Sequence, residues 1–324
     1  MEEAMREHFY NHGKKEVPPE DKEGCHWCQL RSFPRSQELP VTVVNDVDDA
    51  VLPPNFRFIA SNLLRQGVEP AEDSFRSGCS CGDDGDCQFA GCLCLADVAD
   101  EIDEAKKAYA YHTHGVKASL LRSKMYDSVL PIYECHQGCI CSIDCPNRVV
   151  ERGRTIPLEI FRTGDRGWGV RSSEDVKMGQ FVDRYFGEVI TSEEADRRRA
   201  ESQVSQRKDV YLFALDKFTD PDSLDPRLQD NPLEVDGEFA SGPTRFVNHS
   251  CSPNLRIFAR VGDHADKHLH DLALFATQDI PRGTELTFDY KDGVPNDEET
   301  FNFDSAHMTK CLCGSENCRK YLWL

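Results

Sequence analysis

The sequence predicts a mostly β chain with short helices, flanked by cysteine-rich metal modules. Three observations carry that expectation. Residues 285–290 alternate polar and apolar with the two-residue period of a strand, and residues 180–190, 255–261 and 271–276 are short apolar-rich runs that read as strands. Fifteen of the 324 residues are cysteine, most of them in two compact groups. No apolar run approaches the roughly 18 residues a membrane helix needs, and the N-terminus has no apolar signal core, so the chain reads as intracellular. In a reducing compartment, an odd number of cysteines favours metal thiolates over disulfides.

The formal charge of -19 disfavours direct DNA binding as the main activity, because phosphate contacts need a basic face. An acidic surface suits a basic partner such as a histone tail, or simply aids solubility.

The chain divides into four stretches. Residues 1–65 form a mixed, charged N-terminal segment. In it, Cys25-His-Trp-Cys28 has no second cysteine pair nearby and reads as two reduced thiols or a local packing feature more readily than as a metal site. Pro53-Pro54-Asn55 breaks the chain, and Phe56–Leu64 reads as one strand. Residues 66–150 hold Cys79-x-Cys81-x5-Cys87-x4-Cys92-x-Cys94 and Cys135-x3-Cys139-x-Cys141-x3-Cys145, separated by a helical-looking stretch, Ala96–Tyr109. Nine thiolates cannot fill a whole number of separate four-cysteine sites, but they satisfy three tetrahedral zinc ions if three sulfurs each bridge two metals. A disulfide knot is the competing reading, and the Cys-x-Cys pairs are too close for ordinary disulfide geometry.

Residues 151–292 carry most of the strands. Ile156–Phe161 and Trp168–Arg171 flank Thr163-Gly-Asp-Arg-Gly-Trp-Gly169, which as a bare glycine pattern is only a turn. Gln180–Ile190 is a strand broken by Gly187, and Thr191-Ser-Glu-Glu194 is a capping box opening a helix to about Lys208. That helix is polar nearly all round and reads as a solvated insert. Val210–Leu215 returns to strand; residues 216–232 form an irregular loop whose Asp216, with Asp209, either lines an acidic groove or is simply solvated. Strands at Leu255–Val261, Asp271–Ala276 and Glu285–Tyr290 follow, with a turn at Pro281-Arg-Gly283. Residues 293–324 begin with part of an acidic stretch, 292–305, that reads as mobile before ligand arrives, and they end in Cys311-x-Cys313-x4-Cys318. Three cysteines leave a tetrahedron incomplete, so the metal takes either a fourth ligand from elsewhere or a bound water.

Two stretches stand apart. Arg245-Phe-Val-Asn-His-Ser-Cys251 packs an amide, an imidazole, a hydroxyl and a thiol into four consecutive residues, and Glu285-Leu-Thr-Phe-Asp-Tyr290 ends an alternating segment in a phenol. Together they resemble the signature motifs of the SET-domain lysine methyltransferases, and the nine-cysteine stretch resembles that family's pre-SET domain. The resemblance covers roughly residues 75–324 and implies a SET fold of small sheets with a pseudoknot, in which the first motif threads a loop formed by the second. It implies S-adenosylmethionine as methyl donor, held by Arg166, Gly167, Trp168, Tyr211, Arg245, Asn248 and His249; for Tyr211 a core role is the alternative. It places Tyr185 and Tyr290 at the substrate lysine as catalytic residues. It implies three zinc ions in the pre-SET module and one in a post-SET module, where Cys251 joins Cys311, Cys313 and Cys318. Arrangement and pre-SET module most resemble the fungal heterochromatin enzymes acting on lysine nine of the histone H3 tail. The implied setting is the nucleus and chromosome, with recruitment by the N-terminus or an adaptor. Methylation of another lysine or a non-histone protein, or a non-catalytic zinc-stabilised scaffold, are the alternatives.

The chemistry constrains the site independently. The nucleophile is a neutral amine, yet free lysine has a pKa of about 10.4, so desolvation and a nearby sulfonium must favour the uncharged form. No strong general base stands out in the motifs, which leaves proximity and alignment to supply much of the rate. His249 is the minor candidate for a base. Phe288, two residues before Tyr290, falls on the same strand face. In the family a phenylalanine near this place leaves room for three methyl groups, so trimethylation is the expected product state.

Overall fold

The computed structural model describes residues 12, 24–32, 39, 41–89, 91–99, 110–126, 128–201, 210–229, 231–291 and 309–322. Its architecture is a set of small sheets joined by short 3-10 turns. The first sheet runs β1 (Val41–Val44), β5 (Leu158–Arg162), β6 (Trp168–Arg171), β15 (Glu285–Phe288) and β12 (Asn248–His249). A second orders β3 (Leu63–Leu64), β8 (Glu188–Ile190), β10 (Glu234–Asp236) and β9 (Leu212–Ala214). A third has β4 (Ile132–Tyr133), β13 (Leu255–Val261), β14 (Asp271–Ala276) and β7 (Phe181–Tyr185). β2 (Arg57–Phe58) and β11 (Ala240–Ser241) form a parallel pair.

Along β5, Leu158 and Ile160 are buried while Glu159 between them is not, the inside–outside order of a strand. They meet Val170, Leu255, Leu274, Leu286 and Phe288 in the main core. Truncating one of these to alanine costs about 2–5 kcal/mol. The expected single strand over Phe56–Leu64 is instead two short strands in different sheets, because bends at Ala60 and Ser61 redirect the chain. The expected break at Gly187 holds: a β-carbon there would lie 2.5 Å from the Asp236 carbonyl oxygen, so only glycine lets β7 pass into β8.

Three helices are described: α1 (His26–Ser32), α2 (Ala96–Ala99) and α3 (Ser192–Glu201). The rest of the helical-looking stretch to Tyr109, the extension of α3 to Lys208, Asp209 and the acidic stretch 292–305 lie outside the described residues. α3 starts as expected, with the Glu194 amide donating to the Thr191 hydroxyl at 3.4 Å. It is not a solvated insert, however. Arg198 donates to Glu188 at 2.8 Å and to the buried Asp236 at 2.7 Å, and Arg199 donates to Glu234 at 2.5 Å. A polar helix face is here answered by acidic side chains on the sheet beneath.

The cysteine-rich region and the sheets share a buried ionic knot. Glu134 is wholly buried and accepts from the Tyr111 hydroxyl (2.5 Å), the Val150 and Glu151 amides (2.8 and 3.0 Å) and Arg260 Nε (3.0 Å). A carboxylate removed from water costs several kcal/mol unless it is paired and hydrogen-bonded, and four donors meet that requirement.

Candidate active site and metal centres

β12 lies parallel to β15, with Asn248 opposite Thr287 and His249 opposite Phe288. The pairing continues irregularly: the Ser250 amide donates to the Phe288 carbonyl, and Asn254 both accepts from the Thr287 amide (2.8 Å) and donates to the Glu285 carbonyl (2.8 Å). The two signature stretches are thus bound side by side, the contact that the expected knot requires.

Beside them opens a cavity of about 400 Å³. All seven residues expected at the methyl donor line it: Arg166, Gly167, Trp168, Tyr211, Arg245, Asn248 and His249; Tyr290 is also in its wall. A larger groove of about 770 Å³, edged by Tyr126, Met178 and Ile280, lies elsewhere and contains none of the motif residues. Gly167 sits at φ +75°, in the region that favours glycine, while its carbonyl accepts the Thr163 amide at 2.8 Å. That turn brings Trp168 and Arg166 to the cavity. The Asn248 amide donates to the Trp168 carbonyl (3.1 Å) and the Glu285 carboxylate (2.8 Å); Arg166 donates to the other Glu285 oxygen at 2.7 Å. Among the described residues, the Arg245 side chain donates from Nε to the Glu238 carbonyl at 3.3 Å, and its guanidinium stacks on Tyr211 (4.3 Å), Phe246 (4.8 Å) and Phe56 (5.3 Å).

His249 is turned inward. Its Nδ1 accepts from the Tyr290 amide at 3.2 Å and its Nε2 lies 3.2 Å from the Cys251 sulfur. Burial pushes its pKa down to about 4, so the ring is neutral at working pH. With both nitrogens engaged, it is placed to fix the two strands rather than to take a substrate proton.

Behind the cavity the aromatic residues close in on each other. Phe288 and Tyr290 have ring centroids 4.8 Å apart, Phe213 stands 5.7 Å from Phe288 and 6.4 Å from Tyr290, and Tyr185 lies 4.7 Å from Phe213. The Tyr290 hydroxyl donates to the Val247 carbonyl at 2.9 Å and the Tyr185 hydroxyl to the Tyr211 carbonyl at 3.0 Å. Each phenol is held at a fixed angle with lone pairs left over. Burial raises both pKa values, so both phenols stay protonated at neutral pH.

The cysteines gather as the spacing suggested. The sulfurs of Cys251, Cys311, Cys313 and Cys318 lie within 4.8 Å of one another. Three further quartets form in the first module: Cys79, Cys87, Cys92 and Cys135; Cys79, Cys94, Cys135 and Cys139; and Cys87, Cys135, Cys141 and Cys145. Cys81 interacts with Cys79, Cys87 and Cys92. The Cys79–Cys87, Cys79–Cys135 and Cys251–Cys311 sulfur separations are each 3.8 Å, far beyond a disulfide. They match the edge of a tetrahedron with zinc–sulfur bonds of about 2.3 Å.

Sequence reasoning missed three participants. Phe213 sits in an apolar run with nothing to mark it, and Glu285, though it opens the second signature stretch, carried no assigned role. Asp289 takes a two-pronged contact from Arg319 at 2.6 and 2.7 Å, which ties the C-terminal cysteine module to the second signature stretch.

Two bonded signature strands lie beside a cavity and a cluster of packed aromatic rings, and known families place the domain. A family model described as SET domain matches residues 167–291, and one described as Pre-SET motif matches residues 34–148. A histone-lysine N-methyltransferase of Fusarium mangiferae, described as H3 lysine-9 specific KMT1, is 64% identical, covering 100% of this chain and 99% of its own. The solved structure of the Neurospora SET domain protein DIM-5, a histone lysine methyltransferase, is similar with a TM-score of 0.74 at 62% identity, covering 85% of this chain and 100% of that one. KRYPTONITE in complex with mCHH DNA, an H3(1-15) peptide and SAH has a TM-score of 0.61 at 27% identity, covering 87% of this chain and 51% of that one. The chain belongs to the SET-domain histone lysine methyltransferases.

Proposed function

We propose that this protein transfers methyl groups from S-adenosylmethionine to lysine nine of the histone H3 tail, up to the trimethyl state, in the heterochromatin of the nucleus. The observation that carries the reading is the shared wall: Tyr290 lines the cavity and also packs against Phe288 and Phe213, whose rings with Tyr185 would form the lysine channel. Relatives described as H3 lysine-9 specific and a similar structure holding an H3 peptide support the substrate.

The donor's chemistry fits the cavity, with the guanidiniums of Arg166 and Arg245 for a carboxylate and the rings of Trp168 and Tyr211 for an aromatic base. When bound, it supplies an electrophilic methyl on a sulfonium. The chain's own residues do the rest. Tyr185, Phe213 and Phe288 enclose the aliphatic stem of the lysine and strip water from its amine, which lowers the amine pKa. The lone pairs of the Tyr290 and Tyr185 hydroxyls, fixed by Val247 and Tyr211, orient the nitrogen for in-line attack. Among the described residues no side chain is positioned as a strong base, which favours loss of the lysine proton to solvent before transfer. β9 is an edge strand among the described residues and carries Phe213, with the exposed Asp216 just beyond it, so a basic tail adding along β9 would bring its lysine to the channel.

The zinc assignment follows from the quartets. Cys79, Cys87 and Cys135 each fall in more than one group and are the bridging sulfurs; Cys81 with Cys92, Cys94 with Cys139, and Cys141 with Cys145 complete three tetrahedra. Cys251, Cys311, Cys313 and Cys318 hold a fourth zinc. We draw the functional divisions at 66–150 for the pre-SET module, 151–292 for the catalytic domain and 293–324 for the closing segment, with an adaptor bringing the enzyme to chromatin. Mass spectrometry on a panel of H3 peptides tests the reading: three added methyl groups on lysine nine support it, and modification of every lysine but that one overturns it.

A further inference from the structure

The Cys25–Cys28 pair acquires a third ligand in the fold. His12 approaches it, with Nδ1 3.5 Å from the Cys28 sulfur, and the ligand atoms of His12, Cys25 and Cys28 all lie within 4.8 Å of one another. The spacing is that of a metal-bound imidazole and thiolate: zinc–nitrogen and zinc–sulfur bonds of about 2.1 and 2.3 Å at a tetrahedral angle put the two atoms about 3.5–3.6 Å apart. Twelve residues separate His12 from Cys25 and two separate Cys25 from Cys28, the loop lengths of a small zinc knuckle read in reverse order. Two thiolates and one neutral imidazole also cancel a divalent charge, and this soft-to-borderline donor set selects zinc over magnesium or calcium.

The geometry points to a further zinc site at His12, Cys25 and Cys28, outside the pre-SET and post-SET centres, with a fourth position for solvent or one more donor. It gives the N-terminal segment a task. α1 begins directly after Cys25 and contains Cys28. From α1, His26 contacts the Phe56 carbonyl at 2.8 Å, Gln29 accepts the Phe58 amide at 3.0 Å, and Trp27 and Leu30 edge a small gap against Trp168. Phe56 in turn packs on Phe246, ring centroids 5.1 Å apart, within the first signature stretch. A metal tying residue 12 to α1 therefore braces the outer side of the donor pocket.

The test uses the full chain. Elemental analysis of wild type, Cys25→Ser/Cys28→Ser and His12→Ala should show one zinc fewer per chain in the double variant. The comparison is a difference, so it holds whatever the number in the other centres. Equal zinc in wild type and double variant overturns the proposal. If the double variant does not fold, the wild type answers alone. Under reductant, Cys25 and Cys28 should resist maleimide alkylation, react after mild chelation, and become protected again when zinc alone is restored. Alkylation under reductant that is the same with and without zinc rejects the site.

Discussion

Asn248 and Glu285 are joined by a 2.8 Å hydrogen bond from amide to carboxylate, one link between the two signature stretches. The same carboxylate holds Arg166 at 2.7 Å, so a single side chain sets two walls of the donor cavity. Glu285→Gln keeps the shape but removes the charge that orients Arg166. A charge-assisted hydrogen bond of about 1.5–3 kcal/mol corresponds to roughly a ten- to hundredfold rise in KM for S-adenosylmethionine. Initial-rate kinetics at saturating peptide should show kcat changed by far less.

Tyr290→Phe removes one hydroxyl whose hydrogen bond is to the Val247 carbonyl. Loss of an aligned polar group at the reacting centre costs about a hundredfold or more in kcat. Circular dichroism and zinc content should stay at wild-type values.

The pH profile separates a phenolate base from a solvent-deprotonated lysine. Burial raises the pKa of both Tyr185 and Tyr290, so neither ionises across the working range. The group that must lose its proton is the lysine amine, ordinarily near about 10.4. The rate at low peptide should therefore climb by up to about tenfold per pH unit from pH 7 to 9. A plateau beginning near neutrality would point to an enzyme base.

Phe288 is buried, with its ring 4.8 Å from that of Tyr290. Phe288→Tyr puts a hydroxyl into the space a methylated amine must turn through. The first transfer should persist within a few-fold while products stop at one or two methyl groups by mass spectrometry. Efficient trimethylation by the variant rules out this role.

Cys251→Ser should lower zinc by one per chain and raise KM for the donor, because Cys311 and Cys313 line the same cavity. Strong chelation of the wild type should abolish activity together with the folded signal, since thiolate-bound zinc is coupled to folding.

Much of this was legible beforehand because the informative residues announce themselves. Alternation marked β15, and short apolar runs marked β13 and β14; Cys-x-Cys-x4-Cys left one ligand position open, and Cys251 lies beside it. What stayed hidden depends on partners distant in the chain. Phe213 matters only because Tyr185, Phe288 and Tyr290 converge on it. Arg198 and Arg199 looked solvent-bound because Asp236 and Glu234 lie more than thirty residues away. The strand expected at Phe56–Leu64 failed because its two halves are recruited by different sheets.

Glu134 has a consequence for how such enzymes can be recombined. Its four donors come from Tyr111, Val150, Glu151 and Arg260, so the border between the cysteine module and the catalytic half is locked at this point by one buried carboxylate, beside the more exposed Arg76–Asp266 and Lys267–Asp97 pairs. A chimaera that grafts one half from a relative keeps the Tyr111 and Val150 contacts to the carboxylate but loses its charged partner unless Glu134 and Arg260 travel as a matched pair.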